Sequence, residues 1–77
     1  MLIDNMLTTN INFDKLTLNK IKAINRQYLY WYKEIALLED NRVGVVMVNH
    51  NNGHMFTMYY ASLDSFINFI HNKIKTM

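Results

Sequence analysis

Tyr28-Leu29-Tyr30-Trp31-Tyr32-Lys33-Glu34-Ile35-Ala36-Leu37 is the stretch whose conformation sets the fold of this chain. Read as helix, it continues a series of apolar residues at spacings of three and four: Ile21, Ile24, Tyr28, Trp31, Ile35 and Leu38. That is the seam of an amphipathic helix. Read as strand, it divides into two alternating sets, and each set contains a charge, Glu34 in one and Lys33 in the other. A half-buried strand shows one clean apolar face, and strict alternation yields none here. The periodicity therefore predicts one long helix from an Asp14 N-cap to Glu39, with no Gly or Pro to interrupt it. Phe13 and Leu18 stand where a hydrophobic staple would place them.

Downstream, Val43-Gly44-Val45-Val46-Met47-Val48 is β-branched and strand-like, and Met55 to Tyr60 returns as its partner. Between them Asn52-Gly53 is the preferred pair for a two-residue type I′ turn. Ser62 caps a last helix whose Leu63, Phe66, Ile67, Ile70 and Ile74 share one face, with Asp64 early and Lys73 and Lys75 late, as the helix dipole favours. Residues 1–13 read as irregular or extended. The expected architecture is a single α+β domain over residues 1–77, ordered helix–strand–strand–helix, its antiparallel hairpin packed on a long first helix and a shorter last one. Were 28–37 a strand after all, the order would become helix, three strands, helix, similar to that of double-stranded-RNA-binding domains. The second helix opens Ser62-Leu63-Asp64-Ser65 and lacks that family's early lysine cluster, so the resemblance stops at topology.

The 77 residues carry a net charge of +2, no Cys, no Pro and 51% hydrophobic content. This length permits one domain and a marginal core, about 60% of the unfolded surface being buried. Without cysteine there are no disulfides, thiolate zinc sites or thiol catalysis. The aromatic and apolar content suffices for collapse. Residues 1–6 lack the basic flank and apolar run of a signal peptide, and no apolar run approaches the ~20 residues of a membrane span. A cytoplasmic protein is expected. Eleven Asn, eight Ile and six Lys are the usage of AT-rich genomes, phages and mobile elements among them.

Chemistry is sparse. His50, His54 and His71 have no nearby carboxylate, and a two-residue turn would send His50 and His54 to opposite faces, so no metal or other cofactor is expected. Neither Gly44 nor Gly53 forms a phosphate loop, and no nucleophile elbow surrounds Ser62 or Ser65. No enzyme is expected.

Two surface features remain. On the long helix Lys15, Lys22, Arg26 and Lys33 fall within about 40° of one another, a basic ridge for an acidic protein surface or for phosphate. The second is excess apolar surface: Tyr28, Tyr30, Trp31, Tyr32 and Leu38 around the helix, and Val46, Val48, Met55 and Tyr59 on one hairpin face, with Val45, Met47, Phe56, Met58 and Tyr60 on the other. A homodimer centred on Trp31 and Leu38 is expected to bury part of it. The expected function is a small non-enzymatic protein-binding module, a phage or mobile-element product that inhibits or redirects a host protein such as a nuclease or defence complex. The alternative is a nucleic-acid-binding protein that uses the basic ridge.

Overall fold

A single residue, Lys33, separates the expected helix from the observed strand. In the computed structural model, which describes residues 7–75, the elements are β1 (Thr8–Thr9), α1 (Lys15–Gln27), β2 (Tyr30–Leu37), β3 (Val43–Asn49), β4 (Met55–Tyr60) and α2 (Leu63–Lys75). Residues 28–39 are thus not helical. In the β2–β3 ladder Tyr32 pairs with Met47 and Glu34 with Val46, so Lys33 is the extra residue of a β-bulge. The bulge shifts the phase of the strand by one. Tyr30 and Tyr32 before it and Ile35 and Leu37 after it all lie on the side of Val43, Val45 and Met47. The strand has a clean apolar face, but its period is two, three, two. The helix-like series through Trp31 and Ile35 joins residues that lie on opposite faces of the strand.

Tertiary structure decides in favour of the strand. A hairpin of β3 and β4 alone would be marginal, whereas β3 between two neighbours completes a sheet. The sheet order is β1-β2-β3-β4, with β1 parallel to β2 and the other pairs antiparallel. The helix stops at Gln27 without Gly or Pro because Asn25, fully buried, is bonded to the strand that follows. Its Oδ1 accepts from Tyr32 N–H at 2.8 Å and its Nδ2 donates to Tyr32 C=O at 3.2 Å. Asn10 repeats the device at the other end of β2, accepting from Leu37 N–H at 2.8 Å and donating to Leu37 C=O at 3.3 Å. Each carboxamide stands in for a peptide group of a neighbouring strand. With β1 between them, opposite Glu34 and Ile35, they occupy the edge of β2.

Both helices pack on one side of the sheet. Ile21 and Ile24 of α1 and Phe66 and Ile70 of α2 form a buried cluster with Tyr32, Ile35, Val43, Val45 and Met47. The expected caps are present: Thr17 N–H donates to Asp14 Oδ1 at 2.7 Å, and Ser65 N–H donates to Ser62 Oγ at 3.1 Å. Phe13 lies against Phe66, ring centroids 6.1 Å apart. Lys20 Nζ donates to His71 Nδ1 at 2.6 Å and joins the two helices.

The β3–β4 connection differs from the expected two-residue turn. Val48 pairs with Met55 and Asn49 N–H donates to His54 C=O, which leaves four residues, His50 to Gly53, in the loop. Asn49 Oδ1 accepts from the N–H groups of both Asn51 and Asn52, and Gly53 N–H donates to Asn49 C=O. Gly53, at φ +73°, takes the left-handed position that closes the loop. The longer loop leaves the expected faces of the hairpin unchanged, because it shifts the pairing by an even number of residues.

The Tyr32 hydroxyl is buried and hydrogen bonded to that of Tyr60. Burial first, and the Tyr60 hydroxyl second, push its ionisation well above the ordinary tyrosine range. The folded state therefore favours the protonated phenol. Its contribution to stability is complete below the unfolded value of about 10 and is lost as pH rises beyond it. Tyr32→Phe is expected to cost roughly 1 kcal/mol at neutral pH through the lost hydrogen bond. It is also expected to reduce the fall in stability above about pH 10. Urea unfolding on either side of that pH measures both effects.

Candidate docking face of the sheet

Because both helices cover one side of the sheet, its opposite side is crossed by no helix among the described residues. Register places three rows across it: Trp31, Val48 and Met55; Glu34, Val46 and Thr57; Ala36, Gly44 and Tyr59. Val46 and Val48 are half-buried by their neighbours, while Met55 and Tyr59 are 52% and 58% exposed.

The third row has a defined construction. A Cβ on Gly44 would lie 3.3 Å from Tyr59 Cε1 and 3.5 Å from Leu38 Cδ1, so both side chains lie across the bare backbone of Gly44. The Arg42 guanidinium covers the Tyr59 ring at 4.9 Å from its centroid, a cation–π contact. Arg42 in turn is held by Asp40, Nε to Oδ2 at 2.6 Å. Hydrogen bonds from Arg42, backbone first and side chain second, hold the Asp40 carboxyl below its ordinary range. At the other end of the face the Trp31 and His50 rings lie 6.1 Å apart, and His50 Nε2–H donates to the Asn25 carbonyl at 3.0 Å. The surface is an aromatic and aliphatic strip with one acid, Glu34, in its middle row.

Of the residues expected to form an apolar patch, Trp31, Val46, Val48, Met55 and Tyr59 come together on this face, with Leu38 beside Gly44. Tyr28, Tyr30 and Tyr32 do not join them. The bulge turns Tyr30 and Tyr32 to the helix side, where Tyr32 is 1% exposed and Tyr30 packs edge-on against Phe56. Tyr28 is half-buried under Lys73 Nζ, 4.1 Å from its ring centroid. Trp31 is only 7% exposed. It is part of the folded chain's own packing, not the solvent-facing anchor expected at a dimer centre.

The basic ridge is also corrected. Lys15, Lys22 and Arg26 remain on one side of α1, away from the buried Thr17, Ile21, Ile24 and Asn25. Lys33 does not belong to that helix, being the exposed bulge residue of β2. Nor do Glu34, Glu39 and Asp40 close a helix. With the helix ending at Gln27, Arg26 sits in the last turn, where the dipole favours a cation, and only Lys15 opposes it. The three-residue ridge and the open sheet face lie on opposite sides of a two-layer molecule.

Glu34, Arg42 and Thr57 were not expected on a functional surface. A glycine placed opposite an aromatic residue across two strands was the available sign for Tyr59 and Gly44. Arg42 carried no such sign, since its position follows from the turn at Asp40–Asn41. On the helix side, Tyr30, Met47, Phe56, Met58, Phe69 and Lys73 help line a groove of about 270 Å³. No group of three metal-ligating side chains converges among the described residues, and no helix there is long and apolar enough to cross a membrane. No protein-family model, no curated protein and no solved structure matches the chain.

Proposed function

We propose that this chain is a non-enzymatic protein-binding module that docks a partner protein on the open face of its sheet. The observation that supports the reading most is the strip of Val46, Val48, Met55 and Tyr59, which no helix among the described residues covers. Uncovered contiguous apolar surface of this kind marks interaction sites. The Gly44–Tyr59–Arg42 arrangement adds a braced aromatic ring, and Tyr and Arg are favoured at interface centres. The phage-like residue usage extends the proposal to a viral or mobile-element protein acting on a host nuclease or defence complex. The test is capture from host lysate with immobilised wild type beside Val46→Lys, whose lysine stem still covers its neighbours while its charge enters the strip. A partner retained by wild type and lost by Val46→Lys is the expected result. Identical recoveries from both would refute docking on this face.

The alternative, nucleic-acid binding, is supported by Lys15, Lys22 and Arg26 on the solvent side of α1. Reversing Lys22 and Arg26 to Glu is expected to change stability by less than ~1 kcal/mol. Under the protein-docking reading, capture survives this change, because the ridge faces away from the strip. Under the alternative, affinity for duplex RNA or DNA falls steeply with salt, and the double variant loses it. Filter binding at low and at physiological salt separates the two.

A further inference from the structure

The two edges of the sheet are treated in opposite ways. The β2 edge is occupied by β1 and by the carboxamides of Asn25 and Asn10. The β4 edge ends the sheet, with no strand paired beyond it among the described residues. Natural edge strands are usually blunted by a charge, a proline, a bulge or a cover. Met55-Phe56-Thr57-Met58-Tyr59-Tyr60 has no charge or proline, and its ladder with β3 runs without a register shift.

Which backbone groups are available follows from the ladder. Asn49 N–H donates to His54 C=O at 2.9 Å. Hydrogen-bonded pairs alternate from there, so Phe56, Met58 and Tyr60 bond to β3. The N–H and C=O groups of Met55, Thr57 and Tyr59 therefore point away from the sheet.

We propose that the chain forms a two-fold dimer in which β4 pairs antiparallel with β4 of a second copy, Thr57 opposite Thr57. Among antiparallel registers, this one uses the outward groups of all three residues on both copies. It sets Met55 of each chain opposite Tyr59 of the other, a sulfur–aromatic pairing, and stacks threonine on threonine at the axis. On the helix side it sets Phe56 opposite Met58. The strand is complementary to itself, and no like charges meet across the axis. Two six-residue strands alone bury less than a standard interface of ~800 Å² per partner. Met58 and Phe69, 40% and 39% exposed and both lining the helix-side groove, supply further apolar surface near this strand. The joined molecule has one continuous eight-stranded sheet, with all four helices on one side and the open face doubled on the other. The inference is independent of what that face binds.

Sedimentation and amide hydrogen exchange test it together. Wild type is expected to sediment as a dimer at high micromolar concentration. Thr57→Lys opposes two lysines at the axis, and Thr57→Pro removes the central outward N–H while keeping the β3 ladder. Both are expected to be folded monomers by circular dichroism, and Val46→Lys is expected to remain dimeric. In wild type, the Met55, Thr57 and Tyr59 amides are expected to gain about 100-fold protection between dilute and concentrated samples. Wild type that stays monomeric at millimolar concentration overturns the proposal. So does a dimer whose Met55, Thr57 and Tyr59 amides exchange as in the monomer, a readout that needs no variant to fold. A dimer abolished by Val46→Lys alone would assign the contact to the open face instead. Capture of a partner by monomeric wild type would remove the dimer and leave the docking face standing.

Discussion

Phe66→Ala is expected to lower the stability of the chain by about 3–5 kcal/mol. Phe66 is fully buried and is the point at which three parts of the fold meet. Its ring lies 6.1 Å from Phe13, 5.7 Å from Tyr32 and 5.1 Å from Tyr60, centroid to centroid. One side chain thus joins α2 to β2, to the end of β4 and to the segment before α1. Truncating a buried phenylalanine costs about 3–5 kcal/mol in transfer and cavity terms. A domain of this length has roughly 4–12 kcal/mol in total, so the loss consumes much of the margin. Phe66→Leu keeps most of the volume and is expected to cost less than half as much. Urea unfolding followed by circular dichroism ranks the three proteins. A Phe66→Ala variant within about 1 kcal/mol of wild type would show that α2 contributes little to the core.

Asn25→Ala carries the second large effect, for a different reason. The lost side chain is small, but the N–H and C=O of Tyr32 lose their partners inside the protein. Each buried unpaired group costs about 1–3 kcal/mol, so a total of about 2–6 kcal/mol is expected. Asn25→Asp separates the two bonds: a carboxylate can still accept from Tyr32 N–H, but it cannot donate to Tyr32 C=O, and it places a charge in a buried site. Its stability is expected to recover partly as pH falls and the carboxyl protonates. Melting temperature across pH 4–8 tests this. A flat profile for Asn25→Asp would mean that the site is open to water.

The same asparagine explains where the sequence could and could not be read. The caps at Asp14 and Ser62, the apolar face of α2 and the two faces of the β3–β4 hairpin are local patterns, and each was legible. The extent of α1 was not. Its end is set by Asn25 bonding seven residues ahead, a tertiary contact that leaves no mark of Gly or Pro. The strand identity of β2 was hidden by the bulge at Lys33, because a test of strict alternation fails after one inserted residue. The candidate face was half legible for the same reason. Val46, Val48, Met55 and Tyr59 depend only on the hairpin and fall where expected, whereas the tyrosines of β2 depend on the bulge and fall on the other side. A pattern search that allows one skipped position would have found Tyr30, Tyr32, Ile35 and Leu37 as one face.

Insertion and deletion are usually ruinous in a strand, because removing one residue turns every later side chain over. At the bulge the rule is suspended. Loss of Lys33 would merge Tyr32-Glu34-Ile35 into regular alternation, with Tyr32 and Ile35 still on the core side and Glu34 still between them. Loss of Trp31 would instead invert everything that precedes it or everything that follows. The position thus serves as a length register, the place within β2 where the reading of inside and outside survives a change in residue count. Over evolutionary time a homologue one residue shorter here could keep the same core, and an alignment gap at this position would mark the bulge more surely than any conserved residue.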